Sequence, residues 1–185
     1  MLMQDILLSP HFTLSELCVS RKAEEHGIAN IPPDEAVANL RRLCEGCLEP
    51  LREALGLPVV ITSGFRTKEL NNLVAHASAT SQHIQGQAAD LYVGQSPVQS
   101  SLTKFKATPS ITRFKVQSDR ELLIKAFREI LQNPKIDFDQ LILYPNFIHV
   151  SYVSKERNRR GILKAQGNGK LGYGRLSRVN ALKIQ

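Results

Sequence analysis

At 185 residues, 42% of them apolar, the chain has the size and hydrophobic content of one compact domain. It has no run of about 18 uninterrupted apolar residues that would cross a bilayer as a helix. The formal charge of +7 is uneven: residues 155–185 hold nine Lys or Arg against one acid, Glu156, and the other 154 residues carry 15 basic and 16 acidic side chains. The body is therefore nearly neutral, and the basic end reads as a solvated tail rather than a dedicated polyanion site.

The N-terminus, Met1-Leu-Met-Gln-Asp, lacks the basic start and long apolar stretch of a secretory signal. Localisation stays open: the chain is expected to remain cytoplasmic until lysis unless a holin-like route or a leader exports it. Three cysteines, Cys18, Cys44 and Cys47, give no disulfide framework. Cys44-Glu-Gly-Cys47 has CxxC spacing but sits in a helical apolar period without a second Cys or His pair, so both are expected to be buried helix residues.

In chain order, Thr13 and Glu16 have the spacing of a capping box, with Phe12 as the staple of a short first helix. From Pro32-Pro33-Asp34-Glu35 to Leu55-Gly56 the apolar residues Val37, Leu40, Leu43, Cys47, Leu48 and Leu51 predict a long helix, with Pro50 a point of bending. Pro58 to Thr62 is a short buried strand, and Thr67 caps a helix running to about Ala75. Gly86 to Val93 is the next strand, with Ala88, Asp90 and Tyr92 on one face. A Ser, Thr, Pro and Lys-rich excursion from Gly94 to about Ser118 follows, with a candidate edge hairpin at Phe114 to Val116, then a helix from Asp119 to Leu131. Asp137 to Tyr144 and Phe147 to Val153 form a hairpin through Pro145-Asn146, placing Phe147, His149 and Ser151 on one face. Gly161 to Lys164 is a candidate final strand. The domain is set at residues 1–163, and 164–185 form a basic, Gly-containing tail.

Two of the five histidines stand in unusual settings. His83 lies in the polar loop Ser81-Gln82-His83, and His149 lies mid-strand among aliphatic residues. Asp90 sits inside the apolar run Ala88-Ala89-Asp90-Leu91, where an uncompensated carboxylate is expensive. A cation removes that cost. Two imidazoles and one carboxylate give a borderline ion such as Zn2+ three ligands and leave a fourth position open, as catalytic zinc requires.

Several motifs in order resemble the peptidase M15 family, the zinc D-alanyl-D-alanine carboxypeptidases and their phage-endolysin-like relatives. They are Phe12-Thr-Leu-Ser-Glu-Leu17, Asn30-Ile-Pro-Pro33, Leu48-Glu-Pro-Leu-Arg52, Thr62-Ser-Gly-Phe-Arg-Thr67 with Leu70-Asn71, Ser81-Gln-His-Ile-Gln-Gly-Gln-Ala-Ala-Asp90, Phe138-Asp-Gln-Leu-Ile142 and Ile148-His-Val-Ser-Tyr152. The resemblance implies an α+β fold, hedgehog-like, with a small, mostly antiparallel sheet carrying the site and flanking helices. It implies one Zn2+ held by His83, Asp90 and His149, and Arg66 as the side chain that binds the substrate carbonyl or carboxylate and stabilises the oxyanion. Arg66 read as structure alone would pin its loop through a carboxylate. Ser81 either hydrogen-bonds substrate or caps its loop, and Gly86 reads as a close-approach position.

Where several relatives carry a glutamate three residues before the last histidine, this chain has Asn146. Asp139 is then the nearest carboxylate able to act as base, with a structural role as its alternative, and Tyr144 can assist as acid or oxyanion donor. His76 either lines the cleft or is an ordinary loop residue. The expected function is hydrolysis of amide bonds in peptidoglycan stem peptides by a monomer, as carboxypeptidase or endopeptidase. The alternative is a non-catalytic zinc-containing cell-wall-binding module of the same fold. A nucleic-acid-binding role through the basic tail ranks last, because aromatics are sparse and no nucleic-acid motif is present.

Overall fold

The computed structural model describes residues 5–94, 120–165 and 173–184. A small hairpin, β1 (Leu7–Ser9) with β2 (Phe12–Thr13), leads into the short helices α1 (Leu14–Cys18) and α2 (Arg21–Glu25). Thr13 caps α1 by accepting from the Glu16 N–H, as the capping-box spacing predicts.

The long helix arrives in two pieces, α3 (Asp34–Leu43) and α4 (Glu49–Leu55), joined by a π-turn over Cys44–Leu48. Pro50 is the physical reason. It has no N–H to return to the Gly46 carbonyl, and that carbonyl instead accepts from the Asp137 N–H at 3.1 Å, while Glu49 N–H bonds back to Cys44 O. The helix thus widens by one residue and ties itself to the start of the C-terminal hairpin. Cys44 and Cys47 are free and fully buried in the core with Leu40, Leu43, Leu48 and Leu51.

The main sheet has six strands in the order β3-β4-β6-β5-β7-β8, where β3 is Val59–Ser63, β4 Ala88–Val93, β5 Gln140–Leu143, β6 Ile148–Ser151, β7 Gly161–Ala165 and β8 Tyr173–Arg175. All its neighbours pair antiparallel except β5 and β7, so the α+β class with a mostly antiparallel sheet holds. Helix α5 (Lys68–Leu73), capped by Thr67, follows β3. Helix α6 (Arg120–Gln132) buries Leu123, Ile124, Ala126, Phe127, Ile130 and Leu131. The candidate hairpin at Phe114 to Val116 lies outside the described residues.

Two features differ from the expected tail. The boundary at residue 163 falls inside β7, and residues 173–184 contribute β8 and helix α7 (Arg178–Leu182), with Ala181 and Ile184 joining the core. Several basic side chains are structural: Arg178 donates to Leu131 O at the end of α6, where a cation suits the helix dipole, and Arg160 pairs with Asp137. Counting charge along the chain cannot reveal such pairings.

Candidate metal centre and cleft

Register, not sequence spacing, builds the site. In the β4–β6 ladder Asp90 stands directly opposite His149, and directly opposed residues on one face bring their side chains into contact. Asp90 Oδ1 lies 2.9 Å from His149 Nδ1. The β3–β4 register shifts between Ile61 and Ser63, next to Asp90, an irregularity of the kind that re-aims side chains beside functional sites.

His83 comes from a 3₁₀ turn over Gln82–Gln85, closed by Gly86 in the left-handed region at φ +68°. A Cβ on Gly86 would stand 2.4 Å from the Ala36 carbonyl oxygen, so glycine is required there twice over. The turn is clamped to the loop after β3: His83 Nδ1 donates to Gly64 O at 2.7 Å, and Arg66 N–H donates to His83 O at 3.1 Å. Gly64 can approach so closely because it lacks a side chain; a Cβ would be 2.2 Å from Leu17 O. Asn30 locks the same loop, donating to Cys18 O and Phe65 O and accepting from Thr67 N–H. Asn30 was legible as part of a motif, but its task was not.

Because a carbonyl only accepts, Gly64 O fixes the His83 tautomer and leaves the Nε2 lone pair free to bind. That Nε2 lies 3.3 Å from His149 Nδ1 and 3.4 Å from Asp90 Oδ1. Ligand atoms bonded tetrahedrally at about 2.0–2.1 Å from zinc stand ~3.3 Å apart, so the three separations fit a single small ion. His83, Asp90 and His149 can hold a metal ion. Burial pushes the His83 pKa down, which keeps the ring neutral and its lone pair available. Burial alone would raise the Asp90 pKa, but the two imidazoles outweigh it and hold the carboxyl well below the usual range.

The profile of the peptidase M15 family matches residues 10–123. This chain belongs to the peptidase M15 family. No curated protein matches it. The family match contains Arg66, His83 and Asp90 but ends before His149, which the sheet register supplies. The M15 chain places its trio at the floor of a cleft of about 560 Å³ that is also lined by Arg66, His76, Ser81, Gln82, Gln140, Tyr144, Phe147 and Arg159. Buried Arg66 Nε has no hydrogen-bond partner among the described residues. Among the described residues no carboxylate forms an ion pair with Arg66 that would pin its loop; burial lowers the guanidinium pKa, and the charge of Asp90 opposes that shift. Ser81 occupies the N-cap position of the 3₁₀ turn, yet its side chain makes no capping bond. Tyr144 stacks on Phe147, with centroids 4.2 Å apart and rings 12° from parallel. His76, at φ +63°, is on the cleft wall.

Asp139 does not line this cleft. It sits behind the cleft wall, 1% exposed, and its oxygens accept from Arg159 N–H, Nε and Nη2 and from Gln82 Nε2. Burial raises its pKa, the Arg159 bonds lower it more, and the net shift is downward. Gln82 and Arg159, the two residues that hold Asp139, do line the cleft, and sequence reading singled out neither as a site residue. Gln82 flanks His83 within a recognised motif, while Arg159 was hidden in the basic run of the tail.

Proposed function

We propose that this M15 protein is a zinc-dependent peptidase that hydrolyses amide bonds in peptidoglycan stem peptides, as a carboxypeptidase or an endopeptidase. The observation that carries the reading is the convergence of His83 Nε2, Asp90 Oδ1 and His149 Nδ1 at separations of 2.9–3.4 Å in an open cleft. Peptidases of this family generally use zinc. Zinc, when bound, supplies Lewis acidity that polarises a peptide carbonyl and makes water acidic enough to attack near neutral pH.

The chain's own residues do the rest. Arg66, with an unpartnered buried Nε, is assigned to the substrate carbonyl oxygen, where a fixed guanidinium stabilises developing negative charge. Ser81 and Tyr144, both on the cleft wall, are assigned to peptide binding. Asp139, whose oxygens are filled by Arg159 and Gln82, is assigned to positioning those two side chains rather than to accepting a proton. The reading as a non-catalytic wall-binding module is favoured by one observation: among the described residues lining the cleft, Asp90 is the only acid, and it belongs to the metal trio.

Incubating purified peptidoglycan with the zinc-loaded protein, and reading products by mass spectrometry, separates these readings. Release of D-alanine identifies a carboxypeptidase, larger peptide fragments an endopeptidase, and Arg66→Lys should slow either by about 10²–10³-fold. Intact wall with protein bound to it would leave the binding module.

A further inference from the structure

Beyond the metal trio, the cleft contains a second built feature. The Arg159 guanidinium lies side-on against buried Asp139, with Nε 2.9 and 3.1 Å from the two carboxylate oxygens and Nη2 2.5 Å from Oδ2. Its backbone N–H donates to the same carboxylate at 2.8 Å, and Gln82 Nε2 completes the set at 2.9 Å. A guanidinium docked by its Nε and Nη2 edge keeps Nη1 on the opposite side. That Nη1 has no partner among the described residues, and the side chain is 67% exposed where it lines the cleft.

Arg66 is the other guanidinium on this wall, while Asp90, already flanked by two imidazoles, is the only acid among the described lining residues. With a divalent cation in the trio the cleft is strongly positive. A guanidinium already held in place loses little freedom on binding, and its remaining donors suit a carboxylate.

We propose that Arg159, fixed by Asp139, is a specificity residue that binds a carboxylate of the peptide ligand in this cleft, either an α-carboxylate or an acidic side chain. The proposal deepens the peptidase reading and rests on it for the identity of the ligand as a peptide. Asp139 and Gln82 act through Arg159 as positioning residues. The role also explains why a buried carboxylate is spent on an arginine at the surface.

The test uses zinc-loaded wild type and Arg159→Gln with two pairs of peptides, their dissociation constants measured by calorimetry. One pair is N-acetyl-Lys-D-Ala-D-Ala as the free acid and as its C-terminal amide. The other is an amidated acetyl-Ala-D-Glu-Lys peptide and its D-Gln counterpart. Wild type should prefer the acid of at least one pair by about tenfold or more, and Arg159→Gln should reduce that preference to within about twofold. The pair that responds tells an α-carboxylate from an acidic side chain. A preference that survives in Arg159→Gln, as it would if the metal alone held the carboxylate, overturns the proposal, as does the lack of any preference in wild type. If Arg159→Gln does not fold, Asp139→Asn combined with Arg159→Gln leaves no buried charge and is read in the same way. Following hydrolysis of the same peptides keeps the two ideas apart: acid preference lost with Arg159 but no turnover refutes the peptidase reading alone.

Discussion

Replacing Gly64 by alanine should damage the metal centre without touching a ligand. The new Cβ would stand 2.2 Å from Leu17 O, and real contacts essentially never fall below 3.0 Å, so Gly64 must retreat by at least about 0.8 Å. Phe65 N–H, which shares one planar peptide unit with Gly64 O, donates to Leu17 O at 2.7 Å, so a retreat of this segment from Leu17 O carries Gly64 O with it. A comparable displacement of Gly64 O would stretch its 2.7 Å bond to His83 Nδ1 to about 3.5 Å, the outer limit of a hydrogen bond. Overpacking of this kind costs about 1–3 kcal/mol, and loss of the partner that orients a metal-binding imidazole costs about 10–100-fold in metal affinity. Urea unfolding followed by circular dichroism reads the first quantity, and competition against a chromophoric chelator reads the second. Gly56→Ala is the control: Gly56 is left-handed at φ +61° with nothing within 4 Å of an added Cβ, so it should cost about 1 kcal/mol and leave zinc affinity unchanged. Equal zinc affinity in Gly64→Ala and wild type would refute the clamp.

Asp139→Asn should lower stability by about 1–2 kcal/mol, a value discounted for the solvent exposure of Arg159, while zinc stoichiometry stays at wild type; loss of the metal on this change would mean that Asp139 supports the trio directly. The Cys44 thiol, buried in the core, has its pKa pushed up by that burial to about 12. A raised folded pKa contributes stability that is present below the unfolded value of 9.0 and lost as pH climbs from there toward 12. Cys44→Ala should therefore flatten the alkaline fall of the unfolding free energy measured in urea, by up to about 1.4 kcal/mol per pH unit between pH 9 and 11, and parallel curves for the two proteins would contradict it.

The chemistry was legible in the sequence where a residue's type clashed with its surroundings. Asp90 in an apolar strand and His149 among aliphatic residues are such clashes, and they marked two of the three candidate ligands. Their partnership was not legible, because it depends on the β4–β6 register, which follows from packing of the whole sheet. Pro50 announced a break in the long helix, but the form of the break, a π-turn with Gly46 O diverted to Asp137 N–H, needs a partner 91 residues away. The basic C-terminal stretch misled for the opposite reason: Arg159 and Arg160 resemble solvated charge until their loop is folded against Asp139 and Asp137. Parallel pairing of β7 with β5 was likewise hidden, since a single short strand such as Gly161 to Lys164 carries no signal of its direction.

The central claim is that His83, Asp90 and His149 together bind one zinc ion. Elemental analysis of protein purified without added metal and then offered zinc, wild type beside His149→Ala, tests it most directly. The account predicts about one equivalent in wild type, lost in His149→Ala while the far-ultraviolet circular dichroism is retained. Zinc retained at one equivalent in His149→Ala, or no zinc in wild type, would contradict it.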